Sequence, residues 1–319
     1  MDPLSLKLAF AYLLDLAVGD PRWIPHPVRG LGWAIDRGER WIRAHLRSEG
    51  LGGALLVLMM AGGSWLLVHG LIAAAAHISF GLAALIEVIL LYTCLSTRDL
   101  GVESWPVYDA LKADRLTEAR AKVSMIVGRD TERLDEPEIA RATLETIGES
   151  AMDGIVAPLF YAAIGGAPLA CLYKAVNTLD SMVGYRSARY LRFGRIPAAV
   201  DRWMNVVPAW ITAVLISFGG QCLGFSAREG LRSLRDRRVR QENSFIAEAA
   251  MGGTLRVGLG GTNTYQGQPV ETPPMGRPSR PLNKERIPEA IRVMYAASAL
   301  GICGALAVRF LLWRSGVPL

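Results

Sequence analysis

The chain of 319 residues carries 35 Lys and Arg against 29 Asp and Glu, a net charge of +6, and is 51% hydrophobic, with a mean hydropathy of +0.25. So apolar a chain is not an ordinary soluble protein, and several of its runs approach the roughly 20 residues that cross a bilayer. Four cysteines (Cys94, Cys171, Cys222, Cys303) lie far apart in apolar segments without a CxxC, which argues against a metal knuckle or a disulfide framework and predicts inert buried thiols.

Residues 4–18 form an apolar helix that carries Lys7 and Asp15 and ends at Gly19-Asp20-Pro21. The charges and the poor cleavage site read as a span and not as a cleaved signal peptide. Asp15 is either a buried functional carboxylate or a cap at the membrane interface. Three prolines between 20 and 29 predict a rigid loop, with His26 held between two of them. Residues 30–47 are amphipathic and arginine-rich, which suits a membrane surface. Spans are expected at 51–76 and 78–93, and Glu87 inside the second should face other helices. Asp114 is placed to cap a helix that runs to Val127 and stops at Gly128. Gly128-Arg129-Asp130-Thr131 then makes a polar turn.

Further spans are expected at 206–223 and 294–313. Between them, 226–242 reads as an arginine-rich helix in solvent or at headgroups; its lack of aromatic residues speaks against nucleic acid. Residues 248–254 and 257–265 read as glycine-rich turns whose N–H groups can cradle phosphate, although neither is a Walker loop or a dinucleotide fingerprint. Residues 268–281 read as an irregular proline-rich loop. Nearly every connection is arginine-rich, which would put them all in the cytoplasm. The simplest resolution is that 155–167, broken by Pro158 and Gly165-Gly166, is re-entrant or buried in protein. The expected architecture is all-α: one polytopic helical membrane domain over 1–319, with broken helices and basic water-facing loops.

The richest stretch is 134–186. Asp135, with Glu138 three residues on, spells a capping box. Glu145, Glu149 and Asp153 fall four apart on roughly one helix face, with Arg141 on the same stripe. A second helix can start at Pro168; in it Lys174, Asn177, Ser181 and Tyr185 recur at steps of three and four, flanked by Asp180. Burying such groups unpaired costs about 1–3 kcal/mol each, so the stripes must face water, a ligand or a partner. Three carboxylates, a lysine, arginines and glycine turns form an inventory for Mg²⁺ and phosphate. The plain alternative is a helix pair locked by Glu–Lys and Glu–Arg bridges.

Residues 141–154, 157–161, 174–186 and 259–265, together with 19–21, 25–29 and 127–131, resemble the adenosylcobinamide-phosphate synthase family of cobalamin biosynthesis (CobD/CbiB). The resemblance runs from about residue 8 to about 295. It implies a multi-pass enzyme of the cell (inner) membrane, its active site facing the cytoplasm. Such enzymes join a carboxylate of adenosylcobyric acid to the amine of aminopropanol, or its phosphate, with ATP consumed. The implied catalytic residues are Glu149, Asp153, Lys174 and Asp180, with Glu145, Glu149 and Asp153 as Mg²⁺ ligands. Substrate contacts fall on His26, Arg29, Arg129, Asp130, Thr131, Arg141, Asn177, Ser181, Tyr185, Arg186, Asn243, Glu248, Gly260, Gly261 and Asn263. Membrane lipid, other late corrinoid enzymes and a second copy of the chain are the candidate partners; nucleic acid is not.

The chain also departs from the family pattern. Ser150 stands where Asn is usual, and Arg202 and Trp210 replace an acid and an arginine, although Asp201, Asn205 and Pro208 remain. The run 241–248 keeps only Asn243 and Glu248. These changes leave the amine donor open. Two other readings stay open: a Mg²⁺-dependent transferase acting on a lipid phosphate, which shares the carboxylates and the arginines, and a divergent non-catalytic homologue, for which the altered run argues.

Overall fold

The computed structural model describes residues 2–21, 27–185 and 187–315. Helix α1 (Pro3–Val18) starts where the Asp2 carboxylate accepts the Leu4 and Ser5 N–H groups, and stops at Gly19 in a positive-φ conformation. The amphipathic α2 (Pro27–His45) buries Ile35 and Ile42 and turns Trp33 and Trp41 outward. Helix α3 (Glu49–Val57) runs through a π-turn (Leu58–Gly62) into α4 (Gly63–Ile78). Ser79 then caps α5 (Phe80–Tyr92) through its hydroxyl, and α6 (Thr97–Lys112) and α7 (Leu116–Val123) follow.

Helix α8 (Glu136–Ala151) opens with the expected capping box of Asp135 and Glu138. A second π-turn (Met152–Val156) leads into α9 (Ala157–Val183), which is broken by non-helical backbone at Gly165 and Gly166 ahead of Pro168. Next come α10 (Arg195–Cys222), α11 (Ala227–Ser233) and α12 (Asn243–Leu255). Strands β1 (Gly258–Tyr265) and β2 (Gln268–Gly276) pair antiparallel before α13 (Arg286–Arg314).

Among the described residues five stretches are long and apolar enough to cross a bilayer: Glu49–Ile78, Phe80–Lys112, Glu136–Val183, Arg195–Cys222 and Arg286–Arg314. The protein is a polytopic helical membrane protein with one small hairpin. Four of these stretches overlap the spans expected at 51–76, 78–93, 206–223 and 294–313, and the fifth contains 155–167. The 16 residues of α1 reach about 24 Å, short of the roughly 30 Å hydrocarbon layer.

The chain divides into two compact units, one of Met1–Ser96, Ala157–Val206 and Ile302–Leu319, the other of Thr97–Val156 and Val207–Gly301. In the first, Ile35, Ile42, Leu56, Leu179, Val183 and Phe193 form a core between α2, α3 and α9. Buried Glu39 ties α2 to the loop after α9, accepting from Arg43 at 2.8 Å and Arg189 at 3.0 Å. Glu87 does face a helix: Lys7 of α1 meets it at 2.5 Å. Asp15 is wholly buried within the protein. In the second unit α8 lies on α12, where a Cβ on Gly148 would come within 3.1 Å of the Glu248 Cα. Ser233 Oγ of α11 donates to the Ala249 carbonyl at 2.6 Å, fixing α11 on α12.

Several expectations are corrected. Asp114 does not cap α7. It has positive φ and closes α6 in a Schellman motif, with Arg115 N–H donating to Ala110 O and Asp114 N–H to Leu111 O. The 226–242 stretch is helical only in α11 and a short 3₁₀ turn at Val239–Gln241, because the Asp236 carboxylate captures both the Arg238 N–H and its guanidinium. Residues 248–254 belong to helix α12, and 257–281 contain the hairpin, not loops. Cys222 and Cys303 are exposed and Cys171 is half-buried; only Cys94 is fully buried. Helices with lipid-facing surfaces place a small apolar thiol outward at no cost.

Gly53 sets how closely α3 approaches the loop before α10, since a Cβ there would collide with the Phe193 carbonyl oxygen, whereas a Cβ on Gly50 meets nothing. Gly53→Ala should lower the thermal midpoint of the purified protein, costing about 1–3 kcal/mol. Gly50→Ala, in the same helix, should leave the midpoint unchanged or raise it.

Candidate functional site

The strongest cluster lies in the second unit and is built outward from α8. The capping box sets the helix phase, so Arg141 and Glu145, four residues apart, share a face. Glu145 is 3% exposed. Its Oε1 accepts the Gly260 N–H at 2.7 Å and its Oε2 takes the Arg129 guanidinium. Arg129 also donates to Asn263 Oδ1 at 2.7 Å. Arg141 donates to the carbonyls of Gly260 at 2.8 Å and Thr262 at 3.1 Å. Asp130 holds the far end of the hairpin, accepting from the Gln266 and Gly267 N–H groups at 3.1 and 2.8 Å; Thr131 beside it is buried.

The hairpin can be held this way because of its backbone. Gln266 and Gly267 both have positive φ, as a two-residue type I′ turn requires. At Gly260 the strand pairing slips by a residue, with φ +78° and no room for a Cβ against the Pro273 carbonyl. That bulge re-aims the Gly260 N–H toward Glu145.

Glu248 enters the same surroundings from α12 and is 6% exposed. Burial pushes its carboxyl well above the usual carboxylate range, and the charges of Glu149 and Glu145 add to this; Arg129 and a hydrogen bond with Ser244 oppose it. The Tyr265 phenol is raised as well, chiefly by burial. Glu149 is exposed and Asp153 half-buried in the π-turn after α8. Arg129, Arg141, Glu145, Glu248, Gly260 and Asn263 are therefore brought together, with Asp130 and Gly261 in the hairpin's support.

Glu145 does not fit the Mg²⁺ role, because both its oxygens are committed to Gly260 and Arg129. Among the described residues no group of three or more His, Cys, Asp or Glu is placed to hold a metal. Mg²⁺ needs only one or two carboxylates when phosphate oxygens and water complete its shell.

Other expected residues lie in the first unit. Asn177 of α9 donates to Asp201 Oδ1 at 3.4 Å, Asn205 donates to Asp201 Oδ2 at 3.0 Å, and Tyr173 donates to Asn205 Oδ1 at 2.9 Å. Asp201 and Asn205 were legible only as family positions, yet their spacing of four in an apolar helix is the signal that singled out α9. Lys174 is half-buried beside Tyr173. Asp180 packs against Gly184, and the Ser181 hydroxyl is spent on the Asn177 carbonyl. Tyr185 and Arg29 are exposed, and Asn243 is half-buried at the start of α12. His26 and Arg186 lie outside the described residues.

The fold and this cluster define a class: a multi-pass membrane protein with a buried arginine–carboxylate site under a glycine-bulged hairpin. The family described as CobD/Cbib protein matches residues 8–294. A cobalamin biosynthesis protein CobD of Geobacter metallireducens is 46% identical over 296 residues, covering 91% of this chain and 92% of its own. CobD of Citrobacter koseri is 39% identical (96% and 98% covered) and CbiB of Salmonella arizonae 38% (98% and 99%). No solved structure matches the chain. The chain belongs to the CobD/CbiB family of cobalamin biosynthesis proteins, which gives it an enzymatic role in that pathway and corrinoid-related substrates.

Removing Glu145 leaves two guanidinium groups buried without their carboxylate. Glu145→Ala should cost about 3–5 kcal/mol and raise amide exchange across the hairpin. The Glu248 carboxyl keeps a proton in the fold that the unfolded chain releases near 4.5. Its stabilisation is therefore full below that pH and is lost as pH rises toward the elevated folded value. Melts of the protein across this range should show the decline, and Glu248→Gln should flatten it.

Proposed function

We propose that this protein forms the amide bond between a carboxylate of adenosylcobyric acid and the amine of aminopropanol or its phosphate, consuming ATP at the cytoplasmic face of the cell membrane. The observation that carries the reading is the buried Glu248 carboxyl beside Arg129, Glu145 and Glu149. It pairs a group of raised proton affinity with a fixed cation, the combination that amide formation from an activated acid calls for.

A carboxylate is a poor electrophile, so it is first activated. Its oxygen attacks the terminal phosphorus of ATP, the bond to ADP breaks, and an acyl phosphate forms. The amine nitrogen then attacks the acyl carbon, phosphate leaves, and the nitrogen loses a proton. Glu248 is assigned to that proton, since burial raises the proton affinity of its carboxyl. Arg129 holds Glu145 and Asn263 in place, and Asn263 with the Gly260-Gly261 bulge presents polar groups to phosphate or to corrinoid amides. Glu149 and Asp153 are assigned to Mg²⁺, which when bound neutralises charge on phosphate oxygens. In the first unit, Lys174 is assigned to phosphoryl oxygens and Asn177 with Asp180 to substrate orientation.

Membranes carrying Lys174→Ala, Asp153→Asn or Glu248→Gln should lose about 10²–10⁴-fold in corrinoid amide formation at unchanged protein level. Undiminished turnover in all three rejects the assignment, and failure of the unaltered protein to form the amide from these substrates rejects the reaction.

A further inference from the structure

The second unit contains a cavity of about 610 Å³ lined by Glu229, Arg232, Arg256, Arg277, Pro278 and Ser279. None of these residues has a part in the amide-forming assignment. Helix α11 supplies Glu229 and Arg232. Arg256 ends α12 in the left-handed conformation, and residues 277–279 follow β2. Three guanidinium groups therefore surround a cavity that holds one carboxylate, a surplus of two positive charges.

Glu229 spaces two of the three, with Oε1 2.8 Å from Arg232 and Oε2 3.5 Å from Arg277. Arg256 carries no ion pair among the described residues. Neighbouring Arg280 is different: Glu289 takes it at 2.9 and 3.0 Å, so it acts as a structural tie. The surplus thus belongs to the cavity and is not spread over an ion-pair network.

The walls are fixed by backbone contacts. The Arg256 carbonyl accepts the Ser279 and Arg280 N–H groups at 2.9 and 3.1 Å, and Gly253 lets α12 approach the Glu229 carbonyl so closely that no Cβ fits. A solvent-open groove of ligand size, lined by planar fork donors and a serine hydroxyl, matches the oxygens of a phosphate group.

We propose that this cavity binds a phosphate-bearing anion, supplied by a soluble phosphorylated molecule or by a lipid headgroup. The site stands independently of the amide-forming reading. In nanodiscs of neutral phosphatidylcholine, the full-length protein should bind inorganic pyrophosphate saturably. Arg256→Gln and Arg277→Gln should each weaken that binding at least about tenfold, while Arg228→Gln, on α11 but outside the cavity, should not. A parallel arm adds phosphatidylglycerol. If pyrophosphate fails to bind but phosphatidylglycerol is retained through Arg256 and Arg277, the headgroup is the source. Binding of neither, or binding that both cavity variants leave unchanged, overturns the proposal. Glu248→Gln separates the two assignments, because it should abolish amide formation and leave pyrophosphate binding intact.

Discussion

A single buried carboxylate organises the second unit. Taking Glu145 and Arg129 out of water costs several kcal/mol per ion, and only good geometry with further hydrogen bonds offsets that. The structure meets the requirement from three separate places in the chain: the 128–131 turn gives Arg129, α8 gives Arg141, and β1, opposite the bulge, gives the Gly260 N–H. The consequences run outward. Once the hairpin is pinned to α8, α12 is held between them. Gly148 lets α12 come close enough to bring Glu248 near Glu145 and Glu149, and its elevated proton affinity follows from that approach.

The first unit obeys the same rule with different residues. Its outward faces are apolar, with Leu66, Leu67, Ile78 and Phe80 largely exposed, as surfaces in lipid must be. Two of its ion pairs are Lys7 with Glu87, and Arg309 with Asp2 at 3.1 Å. Each pair joins helices far apart in sequence, so it fixes packing as well as neutralising charge. The Tyr173–Asn205–Asp201–Asn177 chain is the exception in character, being a polar network with a carboxylate at its centre. Buried ionisable groups of that kind in membrane helices mark function more often than structure.

The two units also show what kind of information a sequence displays. The spans were legible because length and hydropathy alone define them, and the α8 start because a capping box is local. The break in α9 was legible at Gly165-Gly166 for the same reason. The hairpin was not. Its strands contain Gly258, Gly260, Gly261, Pro269, Pro273 and Pro274, the residues that strands usually avoid. Its turn is Gln266-Gly267, where Asn-Gly would have been the strong signal. At the site, spacing put Glu145, Glu149 and Asp153 in one line and made them equivalent. Their roles differ because Glu145 is claimed by partners from 115 residues downstream and 16 upstream, and Asp153 falls in a π-turn. No helical period encodes either fact.

The same distinction bears on the departures at 241–248. The retained residues are Asn243, which opens α12, and Glu248, whose carboxyl joins the buried cluster. Among the altered ones, Ile246 and Ala247 are buried apolar packing, and Gln241 and Glu242 end a 3₁₀ turn and precede the helix. A run can lose its family spelling and keep its chemistry if the changes fall on packing and helix entry while the ionisable group stays on its face. Glu248 sits one helical turn beyond Ser244, which hydrogen-bonds it, so this chain supplies its own partner for that carboxyl. In this chain the run is thus a helix entry and apolar packing around one buried acid.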